Sequence, residues 1–209
     1  DVATGKLVGI QEPNSADKSI RIITEMFGYR PQEISFSLSS QTLLDTASLA
    51  ELEILYDSIY KIEFQMTRLQ VGDIAVMWNV YFFKDAAIMR PESKPELEDL
   101  VAMLKENPGM KIKLHGHTNG NSHGKVIHLG KEDTHGLFDI NAPSHVETSG
   151  SAKKLSLYRA ETIHHYLIEA GIEASRIEIK GWGGNKMLYN KHDTQANLNV
   201  RVEVEITAN

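Results

Sequence analysis

Arg159 is the residue of this sequence whose type and position best suit the binding of an anion. It lies in a predicted helix marked by apolar residues at helical spacing, namely Leu157, Ala160, Ile163, Leu167 and Ala170. Ser156 is the predicted N-cap and Gly171 the predicted stop. Arg159 would then lie in the first turn, where free backbone N–H groups also attract anions. A guanidinium can hold a carboxylate through two charged hydrogen bonds, so the pattern predicts a carboxylate-binding position; the alternative is that Arg159 only solvates the helix end.

A second group of polar residues follows a short predicted strand. Apolar and polar residues alternate from Met110 to His115, which predicts one buried and one hydrated face, and Gly116 is expected to end the strand. Thr118 and Asn119 lie in the turn that follows. The amide oxygen of Asn119 can accept a hydrogen bond from a ligand ammonium, at about 0.5–1.5 kcal/mol against roughly 1.5–3 kcal/mol for a charged bond. The alternative is that Asn119 only stabilises the turn.

The histidines, and the absence of cysteine, limit the metal and thiol chemistry that this sequence can perform. With no cysteine, the sequence excludes disulfides, thiolate catalysis and cysteine-ligated metal. Nine histidines are present, and His115 and His117 would point the same way on a strand. The others show no HExxH or similar spacing, so neither a metal site nor a cofactor is predicted.

Composition restricts the possible partners. The 209 residues, 41% of them hydrophobic and 24% charged, leave room for one large globular domain or two small ones. A formal net charge of −6 and a pI of about 5.8 argue against nucleic acid and anionic membrane surfaces as partners. No apolar run approaches the roughly 18 residues of a membrane span, and no signal segment opens the chain. Because it begins at Asp1, we expect a mature or trimmed fragment.

Residues 1–73 are predicted to form a small all-β module. Short apolar runs alternate with turn residues, and the runs are GKLVGIQ, SIRIITEMFGYRP, EISFSLS and KIEFQMTRLQVGD. The segment ASLAELEILYDSIY is open between helix and strand. Gly72-Asp73 marks the predicted boundary. No pair of carboxylates and no nucleophile beside a base stands out, so a structural or spacer role is predicted.

Residues 74–209 read as strand, helix, strand, helix, strand, strand. IAVMWNVYFFKDAAI predicts a buried strand, and the sequence from Ser93 to Glu96 has the form of a capping box at the start of the first helix. The last two predicted strands are 176–180 and 199–207. This order predicts an α+β sandwich with helices on one face of a mixed sheet.

Four separated blocks of this region resemble the OmpA-like C-terminal domain, and they occur in that family's order. The blocks are YFFKDAAIMRPESKPEL, GHTNG, LSLYRAETIHHYLIEAGI and ANLNVRVEVEI. The resemblance implies a βαβαββ fold over 74–209, a periplasmic location associated with the outer membrane, and binding of peptidoglycan. Within residues 1–73, MFGYRPQEISFSL resembles the small β-sandwich of carboxypeptidase regulatory-like modules.

The resemblance also implies a set of binding residues. In the family, an Asp after the GHT turn and the Arg of the LSxxRA motif hold the diaminopimelate of the stem peptide. Arg159 and Thr118 match this pattern, but Asn119 stands at the Asp position. Asp85 is the acid that by family position could compensate, with Asp133 and Asp139 as further candidates.

The exit motif supplies the last two candidates. Asn199 and Arg201 match the family's NRRVE sequence, in which Val200 here replaces the first Arg. Arg201 either reaches the ligand carboxylate or pairs with Glu203 or Glu178.

A segment of about residues 120–150 is longer than the family's usual connection. It is rich in Gly, Ser, His and Asn and has no persistent period, which predicts a long surface loop. We expect the fold to tolerate its deletion, because loop length contributes little entropy.

The predicted function is non-catalytic: the chain binds peptidoglycan stem peptides and anchors an envelope protein to the cell wall. The resemblance implies a parent outer-membrane lipoprotein, or a secretion or motility complex whose other subunits are partners. One alternative is a protein–protein adaptor that kept the fold and lost the ligand, which Asn119 motivates. Another is a metal-dependent cell-wall hydrolase that uses the His-rich insertion.

Overall fold

The computed structural model describes residues 18–24, 26–44, 50–56, 59–130 and 136–209. The chain divides into two compact units, Asp1–Thr67 and Arg68–Asn209. The predicted GKLVGIQ strand lies outside the described residues.

The described part of the first unit consists of antiparallel strands. They are β1 (Ser19–Thr24), β2 (Gln32–Ser37), β3 (Thr42–Leu43), β4 (Ala50–Tyr56) and β5 (Ile59–Phe64). One sheet has the order β1-β2-β3, and β4 pairs with β5, so the segment left open between helix and strand contributes a strand. Ile34 and Phe36 are buried, and the Phe36 ring packs against Tyr60 with a 4.8 Å centroid distance. The similarity to a regulatory-like sandwich stays a prediction.

The second unit contains the predicted order of elements, with one extra hairpin. Its elements are β6 (Ile74–Met77), α1 (Lys94–Glu106), β7 (Lys111–His117), β8 (His123–His128), β9 (Val146–Ser151), α2 (Ala152–Glu169), β10 (Ile177–Gly183) and β11 (Val202–Ala208). The four-stranded sheet has the order β10-β7-β11-β6; β10 is parallel to β7, and β11 is antiparallel to β7 and β6. The prediction of an α+β fold with a mixed sheet is therefore confirmed. No helix of the described residues is long and apolar enough to cross a membrane.

Helix α2 packs closely on the sheet at β7 and β10. Its residues Ala160, Ile163 and Leu167 are fully buried, as are Ile112 and Leu114 of β7. The closest approach is at Gly116, where an added Cβ would lie 1.9 Å from the Ser156 carbonyl oxygen. Gly116 does not end the strand as expected, since β7 continues to His117. The glycine is needed because the helix backbone occupies the place of a side chain.

The start of α1 differs from the predicted capping box. The Ser93 side chain makes no cap hydrogen bond, because its Oγ accepts from the Tyr81 N–H (2.9 Å) and donates to the Tyr81 carbonyl. The Glu96 carboxylate accepts from the Asn79 N–H at 2.8 Å. These two side chains therefore connect α1 to the chain after β6 instead of closing the helix end. Leu97, Leu100 and Leu104, by contrast, are fully buried along α1, as their spacing predicts.

The predicted long strand after residue 74 is much shorter in the structure. Strand β6 ends at Met77, and the chain then turns before an isolated bridge between Phe82 and Met89. Residues 86–89 are nevertheless completely buried. The apolar run therefore predicts burial correctly but not regular pairing.

The described residues of the insertion contain a paired hairpin and two buried apolar side chains, so the expected surface loop is wrong. Strands β8 and β9 form an antiparallel hairpin of six residue pairs. Ile127 donates its N–H to the Asp85 carbonyl (2.9 Å), and Ala87 donates to the Ile127 carbonyl (2.8 Å). Val126 and Leu137 are buried, at 1% and 4% exposure. The hairpin could not be predicted from the sequence, because strands that pair through their backbones do not require a regular alternation of apolar and polar side chains.

Deleting residues 122–148 and joining the ends with a short Gly-Ser link is expected to destabilise the second unit by several kcal/mol. The deletion exposes the buried 86–89 segment and leaves its backbone groups without partners. Thermal unfolding followed by circular dichroism measures this. Lys125→Ala is the control and should have little effect, because Lys125 forms an exposed ion pair with Glu147. An unchanged midpoint in the deletion variant would contradict the core role.

Candidate functional site

Arg159 lies two turns inside α2, not in its first turn. The N-cap is Ser151, whose Oγ accepts from the Lys154 N–H at 3.2 Å. Ser156, the predicted cap, is inside the helix, and its Oγ accepts from the Gly183 N–H of β10. The predicted contribution of free helical N–H groups at Arg159 is therefore wrong. The predicted stop is confirmed, since α2 ends at Glu169 and Gly171 has φ +91.

The Arg159 guanidinium is buried, and none of the described residues supplies it with an anionic partner. The residue is 5% exposed, its Nε donates to the Ala86 carbonyl at 3.0 Å, and its Cζ lies 5.0 Å from the Phe82 ring centroid. Among the described residues, no carboxylate lies within 4.0 Å of it. Burial lowers the pKa of Arg159 to about 10, and the charge of Asp85 opposes that shift. Burying a cation without a counter-ion is costly, so this position favours binding of an anion.

Asp85 belongs to a segment that is held from two sides. The segment's carbonyl groups accept from α2, through Arg159 at Ala86 and through Thr162 Oγ1 at Ala87 (2.6 Å). Strand β8 holds the other side by pairing with Asp85 and Ala87. Asp85 itself is exposed and has φ +53, a conformation that few residues other than glycine adopt. Its carboxylate is thus an exposed negative charge near Arg159.

Neither of the other two candidate acids, Asp139 and Asp133, is placed near Arg159 by a described contact. Asp139 Oδ1 accepts from the Asn141 N–H at 2.9 Å, within its own turn. Asp133 lies outside the described residues.

The turn after β7 brings Thr118, Asn119 and Asn199 together. Thr118 is buried, and its Oγ1 donates to the Gly120 carbonyl at 3.0 Å. Asn119 Oδ1 accepts from Asn199 Nδ2 (3.0 Å), while Asn119 Nδ2 donates to the Lys191 carbonyl (3.1 Å). The Asn119 side chain is therefore oriented by two internal hydrogen bonds.

Arg201 pairs with Glu203, one of its two predicted acids, whereas Glu178 pairs with Lys113 at 2.9 Å. Arg201 is 3% exposed, and its Nε donates to Glu203 Oε1 at 2.8 Å. His117 is fully buried, and its Nε2 lies 3.2 Å from Glu203 Oε2, poorly aligned for a hydrogen bond. The pair of Arg201 with Glu203 was one of the alternatives predicted from the sequence, but His117 was not predicted as its third member. The signal for it was the alternation of charged residues on two strands that pair in the sheet.

The histidines do not assemble a metal site in the part of the chain that the structure describes, where no three His, Asp or Glu side chains are grouped to bind an ion. His115, expected on the hydrated face, is only 6% exposed; its Nε2 lies 2.7 Å from Glu205, and its Nδ1 accepts from Trp182 Nε1. Burial lowers the pKa of His115, and the Glu205 contact opposes this. His128 of the insertion stacks on Tyr158 at 4.1 Å.

Glu203→Gln is expected to lower stability at neutral pH and to have little effect near pH 2. Burial raises the pKa of Glu203, but contacts with His117 and Arg201 outweigh it and hold the pKa at about 2. The stabilisation from this carboxylate is thus present above about pH 4.5 and is lost as the pH falls through 2; it amounts to about 3 kcal/mol at most. Chemical denaturation of both proteins across this pH range measures it.

Glu178→Gln is the control, because Glu178 lies on the same sheet in an exposed ion pair with Lys113. A constant difference in stability between wild type and Glu203→Gln from pH 7 to pH 2 would contradict the assignment.

Several solved structures and one family model are similar to parts of this chain. The solved structures that resemble the chain include the periplasmic domain of Helicobacter pylori MotB, at 14% identity, covering 68% of this chain and 78% of that chain with a TM-score of 0.47. The cell wall anchor of the T6SS from Pseudomonas aeruginosa is 21% identical (62% and 76% covered, TM-score 0.42). The peptidoglycan-associated lipoprotein from Burkholderia pseudomallei is 18% identical (62% and 88% covered, TM-score 0.41). No curated protein sequence matches the chain significantly. The sequence model of the OmpA family matches residues 81–201, more than half of the 209 residues, and the chain therefore belongs to the OmpA family.

Proposed function

We propose that residues 81–201 bind a peptidoglycan stem peptide without catalysis and so anchor an envelope protein to the cell wall. Membership of the OmpA family supports a periplasmic peptidoglycan-binding role. The observation that carries the proposal is Arg159, a buried guanidinium without a counter-ion among the described residues. A free carboxylate, such as that of diaminopimelate in a stem peptide, supplies the missing charge.

The free donors of Arg159 suit a planar ligand. Nε is occupied by the Ala86 carbonyl, while the two terminal nitrogens have no hydrogen-bond partner among the described residues. Together they form the fork that binds a carboxylate in a bidentate manner. The Phe82 ring limits the movement of the guanidinium and so orients this fork.

The ammonium of a diaminopimelate would be recognised by Asp85 and Asn119 together. Asp85 supplies the negative charge, and Asn119 Oδ1 retains one acceptor position beside its bond to Asn199. Thr118 holds the turn. Because recognition relies on an exposed acid and a neutral amide, we propose weaker binding than an Asp at position 119 would give.

The second candidate function is a protein–protein adaptor. The internal hydrogen bonds of Asn119 favour it, since a side chain held within the protein has less capacity for a ligand. Titration with a stem peptide distinguishes the two functions. The proposed location is the periplasm, in association with the outer membrane and with subunits of a secretion or motility complex as partners.

Arg159→Lys is expected to weaken stem-peptide binding by at least about tenfold, because lysine keeps the charge but lacks the fork. Calorimetric titration with a diaminopimelate-containing stem peptide measures this. Arg159→Ala should also lower the unfolding midpoint, since Arg159 is buried and bonded to Ala86.

The matched control is Arg176→Lys. Arg176 also donates to backbone carbonyls, those of Leu104, Asn107 and Met110, but lies in the short turn between α2 and β10. Its substitution should reduce stability and leave binding unchanged. Wild-type affinity in Arg159→Lys would refute the proposed site.

Asn119→Asp is expected to tighten binding of the same peptide by roughly 1 kcal/mol, because it adds a charge beside the ligand ammonium. Added salt should reduce the gain. The unfolding midpoint should fall, since the new carboxylate faces the Lys191 carbonyl that now accepts from Asn119.

Asp85→Asn is compared with the wild type and Asn119→Asp, and it should weaken binding because it removes the proposed negative charge. If only Asn119→Asp binds, the adaptor function is favoured; if none of the three proteins binds, the peptidoglycan proposal fails.

A further inference from the structure

Every hydrogen-bonding position of the Asn199 side chain is in use. Its Oδ1 accepts from the N–H groups of Leu188 (2.7 Å) and Tyr189 (3.0 Å). Its Nδ2 donates to the Tyr189 carbonyl (2.9 Å) and to Asn119 Oδ1 (3.0 Å). A carboxamide offers two donors and two acceptor positions, and this one is 0% exposed. Asn199 therefore has nothing left for a ligand, and it acts on the site by holding Asn119.

The orientation of Asn119 depends on one stretch of chain, residues 184–200, which we call the 184–200 segment. Asn199 and the Lys191 carbonyl both belong to it, and they bond opposite ends of the Asn119 amide. If the segment shifts, both bonds change. The segment therefore determines which atom Asn119 presents to the outside.

Arg201 holds this segment near both of its ends. Its Nη2 donates to the Lys186 carbonyl at 3.1 Å, and its Nη1 contacts the Asn199 carbonyl at 3.4 Å. The same guanidinium bonds to Glu203 through Nε and Nη2. The rotamer that reaches the two carbonyls is thus the one that Glu203 fixes.

Glu203 is enclosed by two basic side chains from different elements. Arg201 approaches from the chain before β11, and His117 approaches from β7, with its Nε2 3.2 Å from Oε2. The side chain of Glu203 is 15% exposed, and those of Arg201 and His117 are 3% and 0% exposed. A charge in so dry a position interacts strongly with its neighbours.

We propose that Glu203 is a positioning residue for the peptide-binding site, acting through Arg201 and the 184–200 segment on the orientation of Asn119. This inference rests on the proposed function for its effect on binding. The chain of contacts it invokes, however, lies within the protein. It can therefore be tested without a ligand.

The test records ¹H–¹⁵N spectra of the full chain and titrates the same proteins with a diaminopimelate-containing stem peptide. The Asn119 side-chain amide is assigned by its loss in Asn119→Ala. Glu203→Gln should shift this amide and weaken binding roughly fivefold. Glu178→Gln is the matched control, because it removes the same charge from the same sheet, where Glu178 forms an exposed ion pair with Lys113 and makes no hydrogen bond or ion pair with the described residues of the 184–200 segment. This control should change neither the position of the Asn119 amide signal nor the affinity for the peptide.

One further signal excludes a general loss of structure, and one further variant tests the same chain of contacts. The side-chain amide of Asn107, bonded to the Met103 carbonyl at the end of α1, should stay in place in all variants. Arg201→Lys keeps the charge but loses the fork that reaches Lys186 and Asn199, so it should shift the Asn119 amide as Glu203→Gln does.

The outcomes separate the two proposals. An Asn119 amide unmoved in both Glu203→Gln and Arg201→Lys overturns the positioning role, whatever the binding. A shifted amide with unchanged affinity overturns the link to binding. If the wild type does not bind the peptide, the proposed function fails, and a shift confined to Glu203→Gln and Arg201→Lys still supports the positioning of Asn119.

Discussion

The hydrogen bond from Arg159 to the Ala86 carbonyl joins three parts of the second unit. It ties α2 to the stretch from Asp85 to Met89, which is in turn paired with β8 of the insertion hairpin through Asp85 and Ala87. The bond is made by a cation that is almost wholly buried and that no carboxylate neutralises among the described residues. A hydrophobic residue in its place would pack at lower electrostatic cost. The position is thus better suited to receive an anion than to stabilise the empty protein.

Under the proposed function, this arrangement couples ligand binding to stability. A ligand that binds only the folded chain raises its stability by an amount set by concentration and affinity. Here the coupling has a local cause, because a bound carboxylate removes an uncompensated charge from the protein interior. The contrast with Arg201 is informative, since Arg201 is equally buried but has its counter-ion within the chain. The two arginines are similarly exposed, but among the described residues only Arg201 has a carboxylate partner.

The fold and the site could be predicted from the sequence to different extents. Periodicity identified α1, α2, β7 and the final strand because each buries one regular face. It misjudged the start of α2, because Ser151 and Ser156 are both acceptable caps and the residues between them favour helix. The hairpin was missed because strand pairing through the backbone leaves little trace in the side chains. The resemblance implied Arg159 as a ligand residue, but its burial and its bond to Ala86 depend on tertiary contacts that no local pattern records.

The pairing of β6 with β11 has a mechanical consequence for the proposed anchoring function. β6 opens the second unit and lies at the edge of the sheet, where four residue pairs and two flanking backbone bonds join it to the last strand. Any tension that enters from the preceding chain reaches this edge before it reaches α2 or the turn after β7. Under the proposed function, separation of these four pairs would let the connection lengthen by a few residues while α2 and the turn after β7 stay folded.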